Sequence, residues 1–277
     1  MNWRRMAVLG TAGLLLLAGC GKKTDQPVIA LLTDDESGQA SAQIQGAIYG
    51  ADAQARVTHL LRLPTGDMKQ AAYLLDQAVT RFPAGTIFVV ATGDLAKHPL
   101  LLVRTAAKKY YLAPDDGVLS FVTAREGLGK AWQLDRGLSG KAGLDYLGAM
   151  AGLLAESGKP ENLNGAEVRT LETLPVNLAH LSGRTIAGEI AHIDEEGTLL
   201  TNIPEKLASW MKEGNLLRFT VGRENFSAPL VANAAEVGPG RFVALFTQEG
   251  RLKIVRNKGS AAKQLGAAVG DAVLIRP

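Results

Sequence analysis

Cys20 is the only cysteine in the chain, and the residues before it decide what chemistry its sulfur can undergo. Two arginines near the start precede an apolar run from Met6 to Leu17, and the small residues Ala18 and Gly19 follow that run. A basic start, a short apolar run and small residues before a cleavage point are typical of a secretory signal peptide. The run is too short for a permanent membrane-spanning helix. The pattern therefore predicts that residues 1–19 are a signal peptide.

The Leu-Ala-Gly-Cys sequence at residues 17–20 resembles the bacterial lipobox. The resemblance implies that Cys20 is diacylated, that the mature chain begins there, and that membrane lipid anchors it in the cell envelope through a tether at residues 20–26. Gly21 stands where an Asp would favour retention in the inner membrane, so we expect the periplasmic side of the outer membrane. An ordinary signal peptide with an incidental cysteine is the alternative interpretation.

The rest of the composition excludes several kinds of site. With Cys20 acylated, the mature chain has no thiol for a disulfide, a metal ligand or a nucleophile. None of the four histidines has a partner at a His-x3-His spacing, so we expect no metal and no other cofactor. Without residues 1–19 the chain carries 28 basic and 27 acidic side chains. This near-neutral balance, with no basic cluster, gives no support for nucleic-acid binding.

The first half of the mature chain alternates apolar runs with helical patterns. Val28–Leu32 and Thr86–Ala91 are continuous apolar runs closed by turn-forming residues, which is typical of buried parallel strands. A helix is predicted from Ala40 to Ala53, and Asp67 is the predicted N-cap of a second helix. The alternation predicts an α/β domain at residues 27–165, with a mostly parallel sheet flanked by helices.

The second half has a different character, because short β-like runs separated by Gly and Asn replace the helical patterns. One helix is predicted from Pro204 to Lys212. We therefore predict a linker at residues 166–182 and a smaller all-β, barrel-like domain at residues 183–277.

Six motifs occur in the order in which they stand in the S-adenosyl-L-methionine hydroxide adenosyltransferases, the family that also includes the fluorinases and chlorinases. They are Leu31-Leu32-Thr33-Asp34-Asp35-Glu36, Arg56-Val57-Thr58-His59, Phe82-Pro83-Ala84-Gly85-Thr86, Pro114-Asp115-Asp116-Gly117, Asp194-Glu195-Glu196-Gly197-Thr198-Leu199-Leu200-Thr201-Asn202 and Gly250-Arg251-Leu252-Lys253-Ile254-Val255-Arg256-Asn257. The chain thus resembles that family over about 230 residues. The resemblance implies the same two-domain fold.

The resemblance also implies roles for particular residues. Asp34 would accept hydrogen bonds from the ribose hydroxyls of an adenosyl group, and Asp194 would face the ammonium of the substrate. Arg256 and the backbone at Lys258 would lie near the adenine. A turn residue after a strand is the alternative interpretation of Asp34, and a surface carboxylate in a loop is that of Asp194.

The matched motifs contribute two further candidates for ligand binding, Asp116 and Thr198. In the family, the site forms between the first domain of one subunit and the second domain of another, in a trimer. The resemblance therefore implies a homotrimer with adenosine or S-adenosyl-L-methionine as a possible ligand.

Four positions depart from the family pattern. The family's hydrolases are thought to orient and activate water with an Asp, an Arg and a His, and the corresponding residues here are Ala91, His98 and Ala142. A methyl group transfers no proton and holds no water. Asp94 and His98 are the residues from which a polar pair would have to be rebuilt. Glu196 replaces an aromatic residue on the adenine side of the family site.

Two hypotheses follow. The first is a lipid-anchored, catalytically degenerate member of the family that binds a nucleoside-type ligand or a protein partner in the envelope. The second is an active hydrolase that forms adenosine and L-methionine, with Asp34, Asp94, His98 and Asp116 as its nearby candidates. The lipobox favours the first, because S-adenosylmethionine is made in the cytoplasm.

Overall fold

The structure is a computed structural model that describes residues 26–135, 140–175 and 177–277. The predicted signal peptide at residues 1–19, the predicted lipidation site Cys20 and residues 21–25 of the tether lie outside the described residues. No helix within the described ranges is long and apolar enough to cross a membrane.

The first domain is built on one sheet flanked by helices. Its strands are β1 Val28–Thr33, β2 Arg56–Arg62, β3 Ile87–Ala91, β4 Leu100–Thr105, β5 Tyr110–Pro114, β6 Leu128–Asp135 and β7 Ala166–Val168. Its helices are α1 Gln39–Ala51, α2 Met68–Val79, α3 Ser120–Glu126 and α4 Gly140–Ser157, followed by a 3-10 turn at Pro160–Leu163. The strand order is β2-β1-β3-β5-β4-β6-β7.

The parallel part of the sheet is the part predicted from the apolar runs. β2, β1, β3 and β5 are parallel, whereas β4, β6 and β7 add to the sheet in antiparallel pairs. The antiparallel half arises because β4 and β5 form a hairpin, in whose turn Lys108 adopts a positive φ of 60°. The predicted α/β class is confirmed, with strands β6 and β7 and helix α3 added to the elements anticipated.

The alternation of side chains along β1 divides the core into two layers. Ile29 and Leu31 face the layer formed by α1 and α4. Ala30 and Leu32 face the layer formed by α2 and α3. Every buried position of this strand is apolar up to Thr33, which explains why the run appears continuous in the sequence.

α1 and α4 approach each other unusually closely. A Cβ added at Gly148 would lie within 3 Å of the carbonyl oxygen of Ile44, and one added at Gly152 would meet Ala51 and the carbonyl oxygen of Ile48. Glycine at both positions therefore allows the two helix backbones to touch.

The second domain is an antiparallel, nearly closed barrel. Its strands are β8 His180–Ser182, β9 Thr185–Ile193, β10 Leu199–Pro204, β11 Leu216–Val221, β12 Glu224–Pro229, β13 Phe242–Phe246, β14 Arg251–Arg256 and β15 Ala272–Arg276. The strand order is β12-β11-β15-β9-β10-β14-β13. A β-bridge between Leu230, which follows β12, and Ala244 of β13 links the two ends of this order. This confirms the predicted all-β, barrel-like class.

The helix predicted from Pro204 to Lys212 is wrong. The structure has only a 3-10 turn at Glu205–Ala208. After this turn the backbone N–H of Met211 donates to the carbonyl oxygen of Ala208, three residues back, at 2.8 Å, and that of Lys212 donates to the side chain of Asn215 at 2.8 Å, so α-helical bonding does not reach Lys212. A short helix absent from the prediction, α5 Ala261–Leu265, begins instead at Ser260, whose side chain caps it.

Charged and aromatic side chains of α2 fasten the first domain to the barrel. The Tyr73 hydroxyl donates to the carbonyl oxygen of Thr201 at 3.2 Å. Lys69 pairs with the buried Glu189 at 2.8 Å. The fully buried carboxylate of Asp76 binds both Arg125 of α3 and, at 2.9 Å, Arg251 of β14. α2 is therefore the element through which the two domains hold each other.

Candidate ligand site at the carboxyl edge of the first sheet

The carboxyl ends of β1, β3 and β5 meet at one edge of the first sheet. The chain runs from β1 to β2 on one side and then to β3 on the other, so a crevice opens between the ends of β1 and β3. Ligands of open α/β sheets bind in such a crevice, beyond the carboxyl ends of the strands. Two of the predicted ligand-binding residues, Asp34 and Asp116, follow β1 and β5 at this edge.

Asp34 spans the crevice. Its Oδ2 accepts a hydrogen bond of 2.7 Å from the backbone N–H of Gly93, in the loop after β3. Its own carbonyl oxygen accepts from the hydroxyl of Thr65 at 3.1 Å. Among the described residues Oδ1 has no partner, and the side chain is half-buried. One carboxylate oxygen thus holds the loop while the other remains available as an acceptor.

The carboxylate of Asp35, the next residue, stabilises the beginning of α1. Its carboxylate accepts from the backbone N–H groups of Ser37 and Ala40 and from the Ser37 hydroxyl. The Ser37 hydroxyl and the Ala40 N–H lower the pKa of the Asp35 carboxyl. This role of Asp35 was not predicted, although an Asp a few residues before a helix is a recognisable signal.

Asp116 is joined to the same edge through Thr92. The Thr92 hydroxyl donates to Oδ2 of Asp116 at 3.2 Å, and the backbone N–H of Val118 donates to Oδ1 at 2.9 Å. Burial raises the pKa of the Asp116 carboxyl, and these hydrogen bonds, together with the nearby His98, act in the opposite direction. The structure therefore brings Asp34 and Asp116 to one edge, with Thr92 and Gly93 between them.

The residues proposed for a rebuilt polar pair have separate partners. Asp94 accepts from the backbone N–H of Ala96 at 3.0 Å and lies 3.8 Å from the Lys97 ammonium, so it closes its own exposed turn. His98 contacts the carbonyl oxygen of Asp115 through Nδ1 at 3.1 Å. Within the described ranges no hydrogen bond joins Asp94 to His98.

The other two family catalytic positions carry methyl groups in different surroundings. Ala91 is the last residue of β3 and is buried in the core layer of α1 and α4. Ala142 lies exposed in the first turns of α4. Neither side chain offers a polar atom.

In the second domain, Asp194 organises its own loop. Its Oδ1 accepts from the backbone N–H groups of Glu196, at 3.1 Å, and Thr198, at 2.8 Å. Gly197 adopts a positive φ of 79°, and an added Cβ there would collide with Ser260. Thr198 is buried beneath this turn. The predicted candidates Asp194 and Thr198 are thus parts of one tight loop.

The predicted adenine-side residues lie on the loop that packs against that turn. Arg256 donates through Nε to the carbonyl oxygen of Gly240 at 3.1 Å. Lys258 adopts a positive φ of 54°, and its neighbour Gly259 bonds back to the Arg256 carbonyl. Ser260 then reaches the Gly197 turn. Arg256 and Lys258 therefore stand beside the Asp194 loop.

The two groups of candidates are separate within one chain. No hydrogen bond or ion pair among the described residues joins Asp34 or Asp116 to Asp194, Arg256 or Lys258. In the same ranges, no three His, Cys, Asp or Glu side chains are grouped as metal ligands would be. The first-domain edge offers acceptors, while the second-domain loops offer backbone groups and cations.

Comparison with known proteins gives the chain its family. The family model of the SAM hydroxide adenosyltransferase N-terminal domain matches residues 29–164, and that of the C-terminal domain matches residues 188–274. Among curated relatives, the (R)-S-adenosyl-L-methionine hydrolase of Salinispora tropica is 26% identical over 232 residues, which cover 78% of this chain and 83% of that protein. The enzyme of the same name from Thermus thermophilus is 26% identical over 224 residues, 75% of this chain and 82% of that protein.

Solved structures share the fold. An uncharacterized conserved protein from Thermotoga maritima superposes with a TM-score of 0.80 at 24% identity, covering 90% of this chain and all of that one. A conserved hypothetical protein from Thermus thermophilus gives 0.72 at 23% identity, covering 90% and 99%. Since both family models match in order, over the two domains described above, the chain belongs to the S-adenosyl-L-methionine hydroxide adenosyltransferase family.

Proposed function

We propose that this chain is a lipid-anchored envelope protein that binds a nucleoside-type ligand at the carboxyl edge of its first sheet without hydrolysing S-adenosyl-L-methionine. The observation that carries the proposal is the contrast between an acceptor that is present and acid–base groups that are missing. Asp34 is placed to accept hydrogen bonds, whereas Ala91 and Ala142 present methyl groups at the positions where the family's water-activating Asp and His would stand.

The ligand-binding half of the proposal rests on the free oxygen of Asp34. The Gly93 N–H fixes Oδ2 and thereby the rotamer of the side chain. Oδ1 can therefore accept two hydrogen bonds, and the two neighbouring hydroxyls of a ribose can donate them. A hydrogen bond to an ionised acceptor contributes about 1.5–3 kcal/mol.

The absence of turnover in the proposal rests on missing acid–base groups. A positioned general acid or base typically accounts for about 10²–10⁴ in rate. Ala91 is packed among apolar side chains, so a water molecule there would meet no polar group from it. His98, at the position of the family's arginine, uses Nδ1 on the Asp115 carbonyl.

The ligand site would be completed by a second copy of the chain. Asp194 and Arg256 lie in the other domain, where Oδ2 of Asp194 is left for an ammonium group because Oδ1 accepts two loop N–H groups. No hydrogen bond or ion pair between described residues joins this loop to Asp34 within one chain. A homotrimer with the family's arrangement would place the two sets on opposite sides of one ligand.

An active hydrolase is the second candidate, and Asp116 is the observation in its favour. Burial raises the pKa of this carboxyl, and Thr92 links it to the edge that holds Asp34. A partly buried carboxyl at this edge is a candidate to give or take a proton from a bound ligand. The two curated relatives named as S-adenosyl-L-methionine hydrolases agree with this candidate.

One experiment separates the two. The mature chain is incubated with S-adenosyl-L-methionine, adenosine and methionine are followed by chromatography, and adenosine binding is titrated by calorimetry. We expect adenosine to bind and no product to form. Product formation that is lost in Asp116→Asn would establish the hydrolase instead. If the chain neither binds adenosine nor forms product, both candidates are contradicted and the protein-partner role remains.

A further inference from the structure

A second pocket lies between the two domains, at the end of α2 that is remote from Asp34. It encloses about 400 Å³ and is lined by residues of α2, α3, β10, β14 and the segment before β8. That volume is in the range of small-molecule sites. α2 begins after Asp67, close to the candidate site, and ends at Thr80 on the pocket wall. Its 12 residues put the two places about 18 Å apart along the helix.

The pocket has one apolar wall. Phe121 of α3, Leu178 of the segment before β8 and Leu207 of the 3-10 turn contribute it. Leu178 is 57% exposed, so much of its side chain is in contact with water. An apolar body entering the pocket would therefore remove exposed apolar surface from water, and this favours binding.

The opposite wall is cationic. Arg125, Arg251 and Lys206 line it, and Glu249 is the only acidic residue among the described lining residues. Glu249 lies 3.8 Å from the guanidinium of Arg81 and is thus already paired. Lys206 is exposed and has no ion pair among the described residues. Arg125 and Arg251 share the carboxylate of Asp76, and Arg125 also pairs with Glu126 at 3.1 Å, so Lys206 is the cation of this wall that has no carboxylate partner in the described ranges.

The two arginines are held in place from behind. Asp76 is fully buried and binds Nε of Arg125 and Nη2 of Arg251. Arg251 also donates through Nη1 to the carbonyl oxygen of Asn202 at 3.0 Å. Nη1 of Arg125 and Nε of Arg251 have no hydrogen-bond partner among the described residues. Fixed guanidinium groups with free N–H donors are suited to carboxylate, sulfonate or phosphate oxygens.

We propose that the pocket between α2, α3 and the barrel is a binding site for a small amphiphilic anion, with the acidic head on Lys206 and Arg125 and the apolar body against Phe121, Leu178 and Leu207. The site is separate from the edge that holds Asp34, and it does not depend on the function proposed for that edge. The domain interface supplies both walls, so the bound anion contacts both domains at once.

The test uses the mature chain with 8-anilinonaphthalene-1-sulfonate, a fluorescent amphiphilic sulfonate, as the probe. We expect saturable binding of one dye per chain, and displacement by 4-phenylbutyrate but not by its neutral amide. Lys206→Glu is expected to weaken dye binding at least tenfold, while Lys212→Glu, which makes the same charge change at an exposed position outside the pocket, leaves it within twofold.

A second pair of variants tests the apolar wall. Leu178→Gln is expected to weaken binding, and Leu181→Gln, which changes an exposed leucine outside the pocket, is its control. Both side chains are exposed, so we expect both variants to fold as the wild type does, and circular dichroism checks this. Absence of saturable binding, equal effects within either pair, or displacement by the amide as effectively as by the carboxylate would each overturn the proposal.

Discussion

The carboxylate of Asp34 accepts a hydrogen bond from the backbone N–H of Gly93 at 2.7 Å, and this contact joins the loops that follow β1 and β3. The crevice between these two strands is where a ligand of this fold is expected. The contact therefore fixes the geometry of the crevice and at the same time limits the acceptor capacity of Asp34 to its second oxygen.

Asp34→Asn separates these two roles. The amide oxygen can still accept from Gly93, so the loop is kept, but the NH₂ group that replaces Oδ1 accepts nothing from a ribose. We expect adenosine affinity to fall by about 1.5–3 kcal/mol, at least tenfold in Kd, with little change in melting temperature. Calorimetric titration measures the first quantity and thermal unfolding the second. Unchanged affinity would remove Asp34 from the ligand site.

Asp76→Asn tests the fastening between the domains. Removing the buried charge leaves Arg125 and Arg251 without their shared partner, and loss of one member of a buried ion pair costs about 3–5 kcal/mol. We expect the free energy of unfolding in denaturant to drop by that amount. The control is Asp94→Asn, whose exposed partner Lys97 is worth at most about 1 kcal/mol. Similar losses for both variants would contradict the assignment.

His192 gives the stability a pH dependence. Burial lowers its pKa below the ordinary value of 6.5, although Asp194 and Asp67 act in the opposite direction. The folded chain therefore binds fewer protons than the unfolded chain, and the free energy of unfolding falls as the pH drops below about 6.5 through the lowered pKa. We expect His192→Gln to flatten this decline, and His180→Gln, an exposed control, to leave it. Denaturant unfolding at a series of pH values shows whether the slopes differ.

Gly197→Ala probes the loop that carries Asp194 and Thr198. The position has a φ of 79°, and the new Cβ would collide with Ser260. Strain and overpacking together are expected to cost more than about 2 kcal/mol. Gly214→Ala is the matched control, because its φ is 84° but its Cβ would meet open space. If both variants lose the same stability, the contact with Ser260 has no energetic weight.

Cys20→Ser tests the predicted anchor. Without its sulfur the residue forms no thioether to a diacylglyceryl group, so we expect the chain to move from the membrane to the soluble envelope fraction. Mass spectrometry of the wild-type N-terminus should show the lipid. Asp34→Asn, which leaves the N-terminus intact, should remain with the membrane. A Cys20→Ser chain that still fractionates with membranes would contradict lipid anchoring.

The fold class could be predicted from short-range patterns. The apolar runs of β1 and β3 are buried on both faces, and Asp67 accepts from the backbone N–H of Gln70 as an N-cap does. The prediction of a helix after Pro204 failed because this segment forms 3-10 turns and bonds at Lys212 to the side chain of Asn215, and neither feature is visible as a periodicity.

The candidate site depended more on resemblance than on pattern. Asp34 and Asp116 are 82 positions apart, and only the parallel pairing of β1, β3 and β5 brings them to one edge. The fastening between the domains was missed entirely, since Asp76 and Arg251 are separated by 175 positions. A buried Asp within a helix face carries no local signal of its partner.

The glycines of α4 restrict how α1 and α4 can move relative to each other. Because α1 and α4 touch through their backbones at Gly148 and Gly152, neither helix slides without opening the core between them. We therefore expect the loop at residues 34–38, and not the helices, to move when a ligand enters or leaves beside Asp34, and loop motions of this kind take nanoseconds to microseconds.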